Sequence, residues 1–209
     1  MQIAIIGAGN VGRALGPAWE AAGHRVRYGV PNPADAKYAD LDGKLAAPAE
    51  AAREADAIVL ATPWNATEAA VKGLGPLAGK IVLDCTNPLA IGPDGLALAI
   101  GHTMSGGEMV AGWAVGASVF KTLNQTGAEN MARARAFATP PVMFVAGDDA
   151  AKKPAVLGLV GDLVFEAVDA GPLRIARLLE PYGMLWIDQA LVRGARRGFA
   201  FAGLRRTGD

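Results

Sequence analysis

The sequence predicts an α/β fold with a doubly wound, mainly parallel sheet. Short apolar runs alternate with stretches of helical spacing along nearly the whole chain, and a glycine-rich turn joins the first run to the first helix. Connections through helices make neighbouring strands parallel and cover both faces of the sheet. Because 52% of the 209 residues are hydrophobic, the chain can bury the core of such a domain.

Each predicted strand is a short run that is rich in apolar residues and ends at a turn signal. In chain order the predicted strands are Gln2–Ile6, 25–28, 57–61, 80–84, 118–123, 142–146 and 164–168. The predicted helices are 10–22, 46–55, Trp64–Lys72, 106–115, 127–137, a helix capped by Asp148 and Asp149 that ends near residue 163, and a last helix over 172–192. Pro181 should kink this last helix or begin a second helical piece.

The C-terminal residues are expected to extend the same domain. No internal repeat and no convincing linker interrupts the sequence, so one domain is predicted over residues 1–209. Residues 1–146 would form its core. Residues 147–209 would form a C-terminal α/β extension whose one or two strands add to the sheet, with a separate small lobe as the alternative.

Composition and charge exclude several classes of function. Lys and Arg together number 20, as do Asp and Glu, so nothing predicts a nucleic-acid partner. Cys85 is the only cysteine, and no set of His, Asp and Glu has metal-ligand spacing, so neither a disulfide nor a metal site is predicted. No apolar run reaches the roughly 20 residues of a membrane span. The first residues also lack the pattern of a signal peptide, so we expect a cytoplasmic protein.

A glycine-rich motif follows the first predicted strand and opens the first predicted helix. Gly7-Ala8-Gly9-Asn10-Val11-Gly12 matches G-x-G-x-x-G, the signature of a Rossmann-like dinucleotide-binding turn. Gly7 permits the tight turn, Gly9 lets the backbone approach a diphosphate, and Gly12 allows close packing of helix on strand. The amide groups and the dipole at the helix start would stabilise the diphosphate. The motif therefore predicts a dinucleotide site.

The end of the second strand bears on the choice between NAD and NADP. NAD enzymes usually place Asp or Glu there to accept a hydrogen bond from the ribose 2′-hydroxyl. This chain has Tyr28-Gly29-Val30-Pro31-Asn32-Pro33, with no acidic residue before Asp35. Without that carboxylate a 2′-phosphate is not repelled, and Asn32 and Lys37 could reach it. NADP is therefore the predicted cofactor, with NAD as the alternative.

Several segments together resemble the NADPH-dependent coenzyme F420 reductases, which are F420-dependent NADP oxidoreductases, and the reductase domains of the STEAP metalloreductases. The segments are 7–12, VLATPW (59–64), VFKTLN (119–124), GAENM (127–131), GDD (147–149) and DAGPL (169–173), followed by 176–177 and 179–181. They span nearly the whole chain. The resemblance implies a Rossmann-like sheet extended at its C-terminal end, and hydride exchange between NADP(H) and a flavin or deazaflavin that lies across the nicotinamide.

The resemblance also implies roles for individual residues. Residues 7–12 would hold the diphosphate. The adenosine–diphosphate cleft would be lined by Thr62, Pro63 and Trp64, and the nicotinamide would be approached by Asn87, Pro88 and Asn124. The chain departs from the family pattern at Val30 and Pro31, where archaeal members have Ser-Arg to grip the 2′-phosphate. This departure suggests a divergent subgroup with another electron partner.

Hydride transfer between stacked rings depends on closeness and alignment, so this interpretation requires no catalytic acid or base, and none is predicted. We interpret His24 as structural and His102 as a surface histidine that could instead touch a substrate. Asp84 is expected to cap a turn. Lys121 is expected to be solvated or hydrogen-bonded, and Cys85 to be a small buried hydrophobe.

The C-terminal stretch from Gly171 onward is rich in arginine. These arginines are expected to form a solvated helix face together with Glu180, followed by a basic tail. Alternatively, residues 193–206 fold over the cleft with Phe199 and Phe201 and bind an acidic tail of the acceptor. An apolar stripe at helical spacing predicts core contacts, and part of it is expected to bury against a second subunit in a homodimer. The stripe consists of Leu173, Ala176, Leu179, Met184, Ile187 and Leu191.

The sequence leaves two other functions open. The first is a small NAD(P)-dependent dehydrogenase or imine reductase, although such enzymes usually carry a longer helical C-terminal domain. The second is a sensor that binds NADP without turnover, which the shortage of acid–base residues allows. The favoured interpretation is an NADP-dependent oxidoreductase that acts on a small-molecule electron acceptor.

Overall fold

The computed structural model describes residues 1–41, 43–93 and 95–206. Within them the strands of the first half are β1 (Gln2–Ile6), β2 (Arg25–Gly29), β3 (Leu45–Ala46), β4 (Ala57–Leu60) and β5 (Ile81–Asp84). The later strands are β6 (Leu89–Gly92), β7 (Gly95–Leu98), β8 (Ser118–Lys121), β9 (Val142–Gly147) and β10 (Glu166–Gly171). The helices are α1 (Asn10–Ala21), α2 (Pro48–Glu54), α3 (Trp64–Lys72), α4 (Gly106–Trp113), α5 (Ala128–Ala132), α6 (Lys153–Gly161) and α7 (Ala176–Leu191).

Eight of these strands form one sheet in the order β10-β9-β8-β5-β4-β1-β2-β3. The six strands β8, β5, β4, β1, β2 and β3 are parallel to one another. β9 pairs antiparallel with β8 and parallel with β10. The run β3-β2-β1-β4-β5-β8 has the strand order of a Rossmann fold. The predicted fold class is confirmed, and the strand expected after residue 163 does join the same sheet.

Side chains alternate along the strands, so each face of the sheet has its own core. In β1, Ile3 and Ile5 pack with Trp19 of α1 on one face. Ala4 and Ile6 pack on the other face, where α2, α3 and α4 also bury apolar residues. The central strands β4 and β5 are buried at every residue, as expected of strands covered on both faces.

The structure differs from the predicted elements where local signals were weak. The short edge strand β3 includes Ala46, the first residue of a predicted helix, and α2 begins only at Pro48. The hairpin of β6 and β7 was not predicted, because its strands are largely exposed and lack a buried face that would impose a period of two. Helix α6 begins at Lys153, four residues after Asp149, the second of the two predicted caps. Helix α7 runs through Pro181 without a break.

Candidate functional site

The turn between β1 and α1 lies where the strand order of the sheet reverses. β1 pairs with β2 on one side and with β4 on the other, so the chain builds outward in both directions from it. In doubly wound sheets, ligands bind at such a switch point, beyond the carboxyl ends of the strands. The fold therefore places the glycine motif at the expected binding edge.

The three motif glycines have different surroundings. Gly7 has φ of +107°, and a Cβ there would lie 2.6 Å from the carbonyl oxygen of Ala61. A Cβ on Gly12 would lie 2.3 Å from the carbonyl oxygen of Gly7. Around Gly9, no described atom lies within 4 Å of the Cβ position. Packing within the protein thus explains Gly7 and Gly12, whereas the space beside Gly9 fits the diphosphate of a dinucleotide.

The start of α1 is suited to an anion. Gly9 is the N-cap residue, and among the described residues no side chain caps this end and no acidic residue lies in the first turn. The positive end of the helix dipole is therefore not offset by a carboxylate in the first turn of α1. Gly9, Asn10 and Val11 all line the same cleft, so the start of α1 borders the space where a diphosphate would lie.

A cleft of about 580 Å³ opens beside Gly9 at the carboxyl ends of β4 and β5, and we name it the β4–β5 cleft. Trp64 on its wall is half-buried and packs on Trp113 of α4, with ring centroids 5.6 Å apart. The cleft brings together several predicted site residues that lie far apart in sequence. Its lining is Gly9, Asn10, Val11, Ala61, Thr62, Pro63, Trp64, Asn65, Cys85, Thr86, Asn87 and Leu89.

A second cavity of about 470 Å³ lies between α2 and α3, and we name it the α2–α3 cavity. Small apolar residues make up most of its lining, from Gly29 and Pro31 to Ala66. Thr62 lines both this cavity and the β4–β5 cleft, so the two spaces meet there. Its hydroxyl lies 2.9 Å from that of Thr67, which fixes Thr62 at the boundary. An elongated ligand could therefore cross the start of α1 from one space to the other.

The residues predicted to meet a 2′-phosphate lie in different environments. Val30 is fully buried and has no surface to offer a ligand, whereas Pro31 lines the α2–α3 cavity. Asn32 is exposed. The side chain of Lys37 is also exposed, and its Nζ lies 2.9 Å from Oδ2 of Asp35.

Arg13 fixes the loop that follows β2, and sequence reasoning missed this residue. Its Nε donates to the carbonyl of Ala8 at 3.0 Å, and its Nη2 donates to the carbonyl of Lys37 at 3.0 Å. The same guanidinium forms an ion pair with Asp40. Arg13 thus ties the glycine turn to the loop after β2. An arginine directly after G-x-G-x-x-G was the available signal.

The residues directly after β5 form the floor of the β4–β5 cleft, and the residues directly after β8 lie behind it. Asn87 lines the cleft, and its Nδ2 donates to the backbone carbonyl of Asn124 at 3.1 Å. Asn124 is buried, and its Nδ2 donates to Oδ1 of Asn87 and to the carbonyl of Leu179, each at 3.1 Å. Of the residues predicted to approach the nicotinamide, Asn87 thus faces the space and Asn124 supports it from behind. Pro88 follows Asn87 and is not among the residues that line the cleft.

A buried charge cluster lies directly behind this floor. Nζ of Lys121 is 2.9 Å from Oδ2 of Asp84, 3.0 Å from Oε1 of Glu180 and 2.7 Å from the carbonyl oxygen of Thr86. The three charged side chains are at most 1% exposed. Burial alone would lower the pKa of Lys121, but the attraction of Asp84 and Glu180 outweighs it and leaves that pKa raised. Lys121 is therefore a buried cation.

The structure confirms the predicted turn cap at Asp84 and corrects the interpretation of Glu180. Oδ1 of Asp84 accepts from the backbone N–H and the hydroxyl of Thr86. Glu180 does not belong to a solvated helix face, because its carboxylate accepts from the backbone N–H groups of Gly106 and Gly107 at 2.9 and 3.0 Å. It therefore caps the start of α4 from within the core.

The remaining titratable candidates stand as follows. His24 lies far from the cleft, with Nε2 2.8 Å from Asp162, in agreement with a structural role. His102 is exposed and has φ of +59°. Cys85 is buried in the cleft wall, where burial and the nearby Asp84 raise the pKa of its thiol. In the parts of the chain that the structure describes, no group of His, Cys, Asp and Glu could hold a metal ion.

None of residues 193–206 lines the β4–β5 cleft, so the alternative in which the C-terminal segment folds over the cleft is not borne out. Phe199 stacks on Trp186 of α7 with ring centroids 5.5 Å apart, and its carbonyl accepts from the indole N–H at 2.9 Å. Phe201 packs on Tyr182, and its carbonyl accepts from the N–H of Val142 at 2.9 Å. Apolar contacts with α7 and β9 therefore decide the path of this segment.

None of the helices described is long and apolar enough to cross a membrane.

Comparison with known proteins agrees with this geometry. A family model described as NADP oxidoreductase, coenzyme F420-dependent, matches residues 2–88. A crystal structure from Arthrobacter sp. FB24, of a protein assigned as an F420-dependent NADP reductase, is 33% identical with a TM-score of 0.89. The match covers 98% of this chain and 100% of that one.

More distant structures share the fold. Protein SMa0349 of Sinorhizobium meliloti is 24% identical with a TM-score of 0.72, over 99% of this chain and 96% of that one. A reductive aminase of Aspergillus terreus, solved with NADPH and ethyl levulinate, is 18% identical with a TM-score of 0.66. The match covers 90% of this chain and 60% of the aminase. At these identities the similarity concerns the fold alone.

Proposed function

The chain belongs to the family of F420-dependent NADP oxidoreductases and is an NADP-dependent oxidoreductase; we propose that it transfers hydride between NADP(H) and a flavin or a deazaflavin such as coenzyme F420. The observation that carries the proposal is the open space beside Gly9, at a helix start that no side chain caps among the described residues. Because Gly9 is not required by packing, a ligand that approaches the backbone accounts for it.

The two spaces suggest how an extended dinucleotide would lie. The adenosine half would occupy the α2–α3 cavity, where small apolar residues such as Ala66 leave room for a flat ring. The diphosphate would cross the start of α1 beside Gly9, Asn10 and Val11. The nicotinamide half would enter the β4–β5 cleft and lie over Asn87. Thr62 would contact the ligand where the two spaces meet.

The residues of this chain would position the nicotinamide and the acceptor ring and would not act as acids or bases. Bound NADPH supplies a hydride, with both electrons, to an acceptor ring that is thereby reduced and takes any further proton from solvent. Trp64, held by Trp113, and Asn87, held by Asn124, would form part of the walls of the space in which the rings meet. Fixed walls of this kind lower the barrier through alignment.

The preference for NADP over NAD is proposed to depend on the loop after β2. Asn32 and Lys37 are exposed there, and Arg13 holds the loop against the glycine turn. A 2′-phosphate would have to compete with Asp35 for the ammonium group of Lys37. Because this competition takes place at the protein surface, we expect a moderate preference for NADP over NAD that decreases as the salt concentration rises.

Anaerobic titration and stopped-flow measurement would test the proposed function. We expect NADP to bind more tightly than NAD, and bound NADPH to be oxidised when a deazaflavin or FMN is added. Oxidation by a ketone with an amine, but not by either flavin, would point instead to imine reduction. Tight binding of NADPH without oxidation by any of these acceptors would contradict the proposal and favour a sensor.

A homodimer is also proposed. Leu178, Leu185 and Val192 lie seven residues apart on one face of the last helix and its end, and they are 65%, 49% and 67% exposed. Leu191 of the predicted stripe is also exposed, whereas Leu179 is buried in the core. Light scattering should give twice the mass of the chain, and Leu185→Glu should shift it toward the monomer. A monomeric wild-type protein at micromolar concentration would contradict this proposal.

A further inference from the structure

The charge cluster of Lys121, Asp84 and Glu180 links four elements behind the floor of the β4–β5 cleft. Lys121 comes from β8, Asp84 ends β5, Glu180 comes from α7, and the carboxylate of Glu180 caps α4. An ammonium group has three N–H donors, and Lys121 directs them to two carboxylates and to the carbonyl of Thr86. The cluster is complete in itself, since each charged group faces an opposite charge or a backbone N–H.

The cluster acts on the two floor residues that face the cleft. Thr86 is held twice by Asp84, through its N–H and its hydroxyl, and once by Lys121, through its carbonyl. Asn87 comes next in the chain and lines the cleft. Lys121 itself is fully buried, so it has no access to a ligand and cannot be a catalytic group.

The backbone next to the cluster is also constrained. Leu123 has φ of +58°, a left-handed backbone conformation that is unfavourable for a residue with a side chain. This turn directs Asn124 toward Asn87. Strain of this kind persists only where the surroundings impose it, and it is common at functional sites. Lys121, two residues before this turn, is held by Asp84 and Glu180, and Asn124, directly after it, donates to the carbonyl of Leu179, so the turn is fixed at both ends.

We infer that Lys121 is a positioning residue: with Asp84 and Glu180 it holds Thr86 and Asn87 as the surface on which the nicotinamide half of the dinucleotide lies. This inference rests on the proposed binding of NADP in the β4–β5 cleft. The adenosine half would lie in the α2–α3 cavity, whose lining includes none of these residues. Loss of the cluster should therefore weaken the hold on one half of the ligand only.

Calorimetry with two probes tests this. The probes are NADP and 2′-phospho-ADP-ribose, which lacks the nicotinamide, and the variants are Lys121→Met and Glu180→Gln. For the wild-type protein we expect NADP to bind more tightly than the fragment. In Lys121→Met that preference should shrink by about three- to tenfold, the equivalent of one or two hydrogen bonds, while affinity for the fragment stays the same. Glu180→Gln keeps an acceptor for α4 and should show a smaller change in the same direction.

Leu159→Ala is the matched control, because Leu159 is a buried core residue of α6 and lines neither space. It should lower the melting temperature without changing the preference for NADP. Equal loss of affinity for both probes in Lys121→Met, or an unchanged preference, would overturn the inference. If Lys121→Met does not fold, Glu180→Gln decides in the same way. Failure of the wild-type protein to bind either probe would instead contradict the proposed function.

Discussion

Asn87 and Asn124 bond to each other twice across the ends of two neighbouring strands. The amide of Asn87 donates to the backbone carbonyl of Asn124, and the amide of Asn124 donates back to Oδ1 of Asn87, each at 3.1 Å. Asn124 also donates to Leu179 and accepts from Gln125, so its side chain links β5, β8 and α7. The pair makes the floor of the cleft one unit.

Replacing Asn124 by Ala should lower the free energy of unfolding by about 2 to 3 kcal/mol. The change leaves buried carbonyl and amide groups without partners, and each such group costs about 1 to 3 kcal/mol. Urea denaturation followed by circular dichroism measures the loss. Asn87→Ala serves as the comparison and should cost less, because Asn87 is only half-buried. Equal stability of Asn124→Ala and wild type would contradict this interpretation of the pair.

Gly9→Val should weaken dinucleotide binding and leave the fold intact. No described atom lies within 4 Å of the new Cβ position, and φ at Gly9 is −83°, so the backbone accepts a side chain. We expect affinity for NADP to fall by more than about tenfold, because the side chain would occupy the space of the diphosphate. Calorimetry and thermal melting together check this. Gly12→Val is the contrasting variant, since its Cβ would lie 2.3 Å from the Gly7 carbonyl and the fold itself should suffer. Undiminished binding by Gly9→Val would refute the proposed site.

Lys37→Ala should reduce affinity for NADP by about three- to tenfold and leave affinity for NAD unchanged. The ammonium group is exposed, so its attraction for a 2′-phosphate should be modest and should decrease with added salt. Fluorescence titration at low and high ionic strength measures both effects. Lys152→Ala is the control, because that lysine lies beside Ser118 at the opposite end of β8. An equal loss of affinity for NAD and NADP would show that Lys37 does not bind the 2′-phosphate.

The single cysteine should resist alkylation in the folded protein. Cys85 is 7% exposed, and burial followed by the charge of Asp84 raises the pKa of its thiol, so little thiolate forms at pH 8. Iodoacetamide should react at least about a hundredfold faster in urea than in native buffer. NADP at about 100 times its Kd should slow the native reaction by roughly another hundredfold if reaction requires unfolding. Rapid alkylation in native buffer would contradict the buried position of this thiol.

Tyr28 should make the protein less stable at alkaline pH. Burial raises the pKa of this phenol from 10.0 to about 12, and Glu20 adds to the shift. Between these two pKa values the unfolded chain has lost the phenol proton and the folded protein has kept it. The free energy of unfolding therefore decreases as pH rises from about 10 to about 12, and this contribution is fully present below pH 10. The loss should reach roughly 2 to 3 kcal/mol near pH 12. Urea titrations from pH 8 to 11.5 should show this slope in wild type and not in Tyr28→Phe; equal slopes would contradict it.

Local signals explain what the sequence could predict. The apolar run of β1 and the three motif glycines lie within one short segment, so their spacing along the chain is enough to predict the turn. The hairpin of β6 and β7 carries no such signal, because its strands are mostly exposed. The cluster of Lys121, Asp84 and Glu180 joins residues from three elements, and only tertiary packing brings them together. Glu180 looked solvated because its partners, including the N–H groups of α4, lie far away in sequence.

Because β8 and β9 pair antiparallel, the loops after β9 and β10 lie at the edge of the sheet opposite the glycine turn, and the two edges differ in how well they should tolerate inserted residues. Because β9 and β10 run opposite to the other six strands of the sheet, the loops that follow them emerge at the rim away from the glycine turn. Insertions, affinity tags or surface attachment near residues 148–152 would therefore leave the ligand entrance unobstructed. The same lengthening at the opposite rim, for example after β4, would fall on the wall of the cleft itself.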